Sequence, residues 1–165
     1  MNSYSSWQAL FERNQMLLRD RTIKARLYGA LLCLYIVNQM ASGAGWIFQD
    51  KQTLAGVAKM LGYPTLVAWS WLVLSALLLP YLLTLVFGLW EEYRTQTTRL
   101  ACWATLGHAY LCGMLAFVSR TAEFDYFTGV MLVNCLLSVG TAAALAWSIN
   151  ASQLLDEDYG KRCVT

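Results

Sequence analysis

Long runs without a charged residue alternate with short charged segments along the chain. Four runs lack Asp, Glu, Lys and Arg and extend over 23, 31, 20 and 30 residues. A helix that crosses a bilayer needs about 20 predominantly apolar residues. The pattern therefore predicts an all-α, polytopic membrane protein whose four transmembrane helices form a bundle. We expect the spans at residues 27–48, 64–90, 100–119 and 126–150.

The segment before the first span, residues 5–26, repeats apolar side chains at helical spacing. Trp7, Leu10 and Phe11 follow this spacing, and polar residues lie largely between them. The pattern predicts an amphipathic helix in the cytoplasm or at the membrane interface. The segment also carries five basic residues, which are Arg13, Arg19, Arg21, Lys24 and Arg26. We expect contacts with anionic lipids or a protein partner. The alternative is a segment that only positions the first span.

The second span has two features of its own. Pro80 lies deep within it and predicts a kink, because proline removes a hydrogen bond from the helix interior. The span has few small residues and a Leu-rich run, so we expect it to face lipid. Trp69 and Trp71 lie deeper within it, and we expect them to pack against a neighbouring helix. Residues 49–62, which precede the second span, contain apolar residues that predict a short amphipathic helix on the outer surface.

Composition agrees with a membrane protein and restricts its partners. The chain is 58% hydrophobic and 13% charged, whereas soluble domains carry about 25% charged residues. A net charge of +2 is too small to indicate direct binding of nucleic acid. The length of 165 residues and the lack of a Pro-rich or Gly/Ser-rich linker predict one domain, with a cytoplasmic tail at residues 151–165.

The distribution of Lys and Arg predicts the orientation. Nine of them fall in the N-terminal segment, the loop between the second and third spans, and the tail, and three fall in the other two loops. The positive-inside rule then places both termini in the cytoplasm. Together with the very short loops, this pattern favours a multi-pass protein of the bacterial cytoplasmic (inner) membrane.

Polar residues at matching depth predict a buried polar layer between the spans. Asn38 and Gln39 lie in the first span, His108 in the third and Asn134 in the fourth. Such groups hydrogen-bond across helices in a bilayer. A neutral histidine in this layer is the simplest expectation for His108. The functional alternatives are a proton relay and an axial haem ligand. The second haem ligand would be a methionine, with three candidates, Met40, Met114 and Met131.

Small residues spaced four apart predict where helices approach each other closely. Three such pairs occur, and they are Ala41 and Gly45, Ala109 and Gly113, and Gly140 and Ala144.

Signatures of enzyme chemistry are missing from the sequence. No Asp or Glu lies within the predicted spans, and no pair of the five cysteines has CxxC spacing. A disulfide framework needs cysteines in oxidising loops, and a zinc site needs clustered Cys and His ligands. We therefore expect no enzymatic activity, no metal and no resident cofactor.

These patterns favour a non-enzymatic inner-membrane subunit that oligomerises or binds a cytoplasmic protein and acts as a membrane anchor or sensor. Suitable systems are phage (antiviral) defence, immunity or exclusion, and complex assembly. Partner contacts are expected at the N-terminal helix, the middle loop and the tail. Two alternatives stay open. One is an oligomeric pore lined by the Asn/His/Asn layer, and the other is a redox subunit that binds haem or quinone near His108.

Overall fold

The computed structural model describes residues 3–49, 52–87, 93–121 and 125–162. Five helices are present in these ranges, namely α1 (Ser3–Phe48), α2 (Gln52–Met60), α3 (Pro64–Phe87), α4 (Arg94–Thr121) and α5 (Asp125–Arg162). None of these residues belongs to a strand. Helices α1, α3, α4 and α5 are long and apolar enough to cross a membrane. The all-α class and the four membrane-length helices are therefore confirmed.

Both chain ends continue the spans as helix. The apolar part of α1 is joined without a break to the charged segment before it, which gives one helix of 46 residues. Residues 3–28 contain neither glycine nor proline, the residues that most readily end a helix. The predicted tail is helical as far as Arg162. The predicted end of the second span at residue 90 lies outside the described residues.

Each long helix packs against two others. Helix α1 contacts α3 and α5, and α4 contacts the same two helices. The shared core contains one fully buried residue from each, which are Met40, Leu78, Leu115 and Leu145. Helix α3 has a core face that buries Trp71, Leu78 and Tyr81, and an outer face on which Leu66 and Trp69 are exposed. The expectation that the second span faces lipid stays a prediction. Large side chains on α3 fill the space that glycines on its neighbours leave open.

The short helix α2 forms within the loop where the sequence predicts one. It buries Leu54 and Val57 against the long helices, so it belongs to the core. A turn with Gly62 at φ 82° then reverses the chain, a conformation that glycine adopts without a steric penalty. Helix α3 begins directly afterwards at Pro64, a favourable first helical position for proline.

Helix α3 runs without interruption through Pro80. The hydroxyl of Thr84 donates a hydrogen bond to the Pro80 carbonyl oxygen at 2.7 Å. The kink at Pro80 stays a prediction.

Contacts between α1 and α3 define the two ends of the helix set. The rings of Phe48 and Trp69 lie 5.7 Å apart at the end next to α2, which we call the α2 end. Tyr81 Oη donates to the Arg26 carbonyl oxygen at 3.4 Å at the other end, which we call the terminal end. The N-terminal part of α1 and the C-terminal part of α5 both extend from the terminal end.

Candidate functional site

His108 lies buried between α4 and α5, and both of its ring nitrogens have partners. Nδ1 is 2.8 Å from Ser138 Oγ, and Nε2 is 3.4 Å from Cys112 Sγ. Ser138 Oγ is also 2.8 Å from the main-chain carbonyl oxygen of Asn134. That carbonyl only accepts, so it takes the single hydroxyl hydrogen, and the hydroxyl accepts from His108 Nδ1–H. Nε2 then accepts the weak S–H donor of Cys112. The imidazole is neutral in this arrangement.

The side chain of Asn134 connects this hydrogen-bonded chain to α1. Tyr35 Oη donates to Asn134 Oδ1 at 3.3 Å, and Asn134 itself is buried. Because the amide oxygen takes this bond, the amide NH₂ is the group that Asn134 presents as a further donor.

The predicted polar layer forms only in part. His108 and Asn134 are buried and joined through Ser138, and Gln39 is half-buried. Asn38 is exposed, so its place in a buried layer is wrong. Asn38 and Gln39 are about 100° apart around the helix axis, and the rotation of α1 that turns Gln39 towards the cavity leaves Asn38 outside. Tyr35 supplies the α1 contact that the sequence assigned to Asn38.

A cavity of about 340 Å³ lies next to His108, towards the α2 end. Its polar wall consists of Gln39, His108, Cys112 and Asn134. Its aromatic wall consists of Trp46, Trp71, Tyr126 and Phe127. Small-molecule sites are typically about 300–1,000 Å³, mostly apolar, with a few convergent polar groups. The volume and the lining fit a small ligand.

Trp71 lies on the aromatic wall, where the sequence predicted only that it packs against a neighbouring helix. It is 3% exposed, and its Nε1 is the one buried side-chain N or O atom within the described residues that lacks a hydrogen-bond partner. The ring centroid lies 6.2 Å from that of His108. A Cβ on Gly43 would lie 2.4 Å from Trp71 Cζ3, so this ring edge rests on the α1 backbone.

The small-residue pairs do not mark the close approaches within the chain. A Cβ on Gly45 or on Gly140 would meet nothing within 4 Å, and one on Gly113 would meet only Cys135 Sγ at 3.9 Å. Their alanine partners differ in exposure, since Ala41 is exposed, Ala144 half-buried and Ala109 buried. Gly45 and Gly140 therefore make no close contact within the described chain, and their role in helix packing stays a prediction.

Three other glycines make the close contacts. Besides Gly43 against Trp71, Gly107 faces Leu74, whose Cδ2 would be 2.9 Å from an added Cβ. Gly29 faces Leu145 in the same way at 3.0 Å. In each case the space is filled by a large side chain of a neighbouring helix. The spacing of small residues along one helix does not predict which large side chain of another helix will face a glycine.

The basic residues of the N-terminal segment are accessible. Arg13, Arg19, Arg21 and Lys24 are exposed, and Arg26 is half-buried. Lys24 Nζ lies 2.7 Å from Asp20 Oδ2 in an exposed pair one helical turn apart. The side chains of three further predicted contact residues lie outside the described part, and these are Trp7, Leu10 and Phe11. The amphipathic character of the segment stays a prediction.

The candidate haem ligands are separated by the fold. Met131 lines the cavity with His108, whereas Met40 is buried in the core and Met114 is exposed. Across the described residues, no group of three or more His, Cys, Asp or Glu side chains is placed to hold a metal ion. Ligation by His108 Nε2 would require the loss of its contact with Cys112.

Four helices that are long and apolar enough to cross a membrane surround a cavity of ligand size with a polar wall. No family model, curated protein or solved structure matches this chain. Any functional argument therefore rests on its own geometry.

Proposed function

We propose that the chain is a non-enzymatic subunit of the bacterial cytoplasmic membrane, with both termini in the cytoplasm. In this proposal the N-terminal extension of α1 binds a cytoplasmic protein, for which the subunit is a membrane anchor or sensor. The main observation that supports this proposal is that α1 continues as one helix beyond its apolar part. Its 46 residues correspond to about 69 Å at about 1.5 Å per residue, more than twice the hydrocarbon thickness of about 30 Å.

The extension has no packing partner within the described chain. From Glu12 to Lys24, every residue whose side chain is described is exposed. These exposed residues include apolar ones, since Met16 is 73% exposed and Ile23 is 48% exposed. Exposed apolar side chains among charges, outside an apolar span, are typical of an interaction surface.

The shape of α1 favours a protein partner over the surface of the inner leaflet. A helix that lies on a membrane must turn sharply away from the span that follows it. Sharp kinks occur at proline, at Gly/Ser pairs or at helix irregularities, and residues 3–28 form continuous helix without glycine or proline. The extension therefore projects along the direction of the span, away from the bilayer.

The pore alternative has less support from the geometry. Asn38 is exposed, whereas His108 and Asn134 are buried within the chain. These residues do not share one surface that several copies would line together.

The test is affinity purification of the full-length protein from its own host under gentle extraction. The double variant Met16→Gln/Ile23→Gln removes only exposed apolar surface and keeps the net charge, so we expect it to lose the co-purifying cytoplasmic protein. Met60→Gln is the matched control, because Met60 is 56% exposed at the opposite end of the helix set. We expect this control to retain the partner.

Membrane insertion is followed in parallel by flotation with vesicles and should be the same for all three proteins. A wild-type protein that purifies without any second polypeptide contradicts the proposal. So does a partner that remains bound to the double variant.

A further inference from the structure

The cavity beside Trp71 has the character of a built binding site. The Trp71 side chain is 3% exposed, and its Nε1 has no partner among the described residues. The indole N–H only donates, so the partner that it lacks is an acceptor. Leaving a buried donor unpaired is costly. Trp71 lines the cavity, and its N–H has almost no accessible surface of its own, so a turn of the indole ring towards a bound acceptor removes that cost.

The wall of the cavity selects a neutral ligand. Of the described residues that line it, none carries a formal charge in the arrangement given above, with His108 neutral. A charged ligand would be buried without a counter-charge, which is strongly unfavourable. The amide groups of Gln39 and Asn134 line the same cavity as Trp71 and are further hydrogen-bond donors.

The aromatic lining selects a flat ligand that comes from the membrane. Trp71 and Phe127 line the interior, and aromatic faces pack well against other rings. Trp46 of α1 and Tyr126 of α5 also line the cavity, and they are 42% and 88% exposed. The cavity thus reaches the surface between the end of α1 and the start of α5. Trp and Tyr at such positions favour the membrane interface, where a lipid-soluble ring compound would arrive.

We propose that this cavity binds a neutral, flat ring compound with carbonyl oxygens, of the quinone type, which enters from the membrane between Trp46 and Tyr126. One carbonyl oxygen accepts a hydrogen bond from Trp71 Nε1–H. The ring packs against the aromatic wall, and the amide groups are available to a second carbonyl. Binding is non-covalent and involves no electron transfer. This inference rests on the cavity alone, so it stands or falls independently of the partner proposed for α1.

The test compares two probes of nearly equal shape on the full-length protein in detergent micelles. They are 2,3-dimethyl-1,4-naphthoquinone, which has carbonyl acceptors and no free quinone position for the Cys112 thiol to attack, and 2,3-dimethylnaphthalene, which has no acceptor. Native mass spectrometry titrations give the two dissociation constants. We expect wild-type protein to bind the quinone at least about tenfold more tightly than the hydrocarbon, because a buried donor left unpaired is penalised.

Trp71→Phe keeps an aromatic ring and removes the N–H. We expect it to lose about tenfold in affinity for the quinone and to bind the hydrocarbon unchanged. Trp69→Phe is the matched control, because Trp69 is 60% exposed and lies outside the cavity wall. We expect this variant to bind both probes as the wild-type protein does.

Four results would overturn the inference. The first is no quinone binding to wild-type protein, and the second is equal affinity for the two probes, which indicates a cavity that recognises only apolar surface. The third is equal loss of quinone affinity in the Trp69 and Trp71 variants. The fourth is a tightly bound phospholipid that the quinone cannot displace, because an ester carbonyl would then be the acceptor.

Discussion

The two halves of the helix set satisfy their polar groups in different ways. In the terminal half, hydroxyls bond to carbonyls of their own helix, as Thr98 does to Arg94 and Ser148 to Leu145, and Tyr81 Oη donates to a main-chain carbonyl of a neighbouring helix. From His108 towards the α2 end, hydroxyls also bond to their own helix, as Ser119 does to Ala116, but in addition polar side chains bond to each other across helices. His108 meets Ser138 there, and the Ser119 and Thr128 hydroxyls are 2.7 Å apart.

The two halves therefore differ in the interactions that specify how the helices pack. A hydroxyl that bonds to its own helix is satisfied wherever that helix packs, so it selects no neighbour. The terminal half therefore depends mainly on the fit of apolar side chains such as Leu78 and Leu145, both of which are buried. The α2 half depends on paired polar groups and leaves a cavity beside them. We expect the terminal half to respond most to lost volume, and the α2 half to respond to a lost donor or acceptor or to a displaced ring.

The largest expected effect is loss of volume in the terminal half. Leu78→Ala removes a fully buried side chain, and we expect it to lower the free energy of unfolding by about 3 kcal/mol, because cavity formation adds to lost contacts. Val73→Ala on the same helix is the control, since Val73 is 56% exposed, and it should change stability by less than about 0.5 kcal/mol. Unfolding in mixed micelles by SDS titration measures both. Equal losses would contradict the assignment of the core.

The next effect tests the contact between α1 and the indole ring. Gly43→Ala places a Cβ within 2.4 Å of Trp71 Cζ3, so the ring or the helix must move. We expect a loss of about 1–3 kcal/mol, as for other overpacked sites. Gly45→Ala has open space around its Cβ and should be neutral or more stable by up to about 1 kcal/mol, because alanine favours helix. The same titration checks this pair, and a tolerated Gly43→Ala would exclude the close approach.

The contrast between Gly43 and Gly45 shows where sequence reasoning stops. The four spans are readable because charge-free runs of 20 or more residues are typical of helices that cross a bilayer. The spacing of small residues singled out Gly45, although Gly43 makes the contact, because spacing describes one helix and the contact needs a partner on another. The sequence predicted that Trp71 packs against a neighbouring helix, but not that its partner there is Gly43.

The candidate site divides in the same way. His108 and Asn134 were identifiable because polar residues in apolar spans are rare and usually paired. The exposed position of Asn38 depends on how α1 is rotated against α5, and no local pattern fixes that rotation. The cavity needs side chains from all five helices, so it follows only from their packing.

The smallest effect compares two buried hydroxyls on α5. Ser138→Ala removes the acceptor of His108 Nδ1–H, and we expect a loss of about 1 kcal/mol, within the range for hydrogen bonds between membrane helices. Thr141 Oγ1 donates to the Leu137 carbonyl oxygen of its own helix at 2.7 Å. Thr141→Val keeps the volume and should change stability by less than about 0.5 kcal/mol. If the Thr141 variant proves the less stable of the two, the distinction between the halves fails.

The unbroken course of α1 has a mechanical consequence. The residues of α1 in the core and those beyond the terminal end belong to one continuous helix of 46 residues. A change in the tilt of the core part is therefore transmitted to the part beyond it. About 20 residues beyond the core form an arm of about 30 Å. Each degree of tilt of α1 then moves the tip by about 0.5 Å, and membrane helices adopt tilts over a range of about 40°. Helix α1 is thus a lever that turns a small change of angle in the bilayer into a displacement outside it.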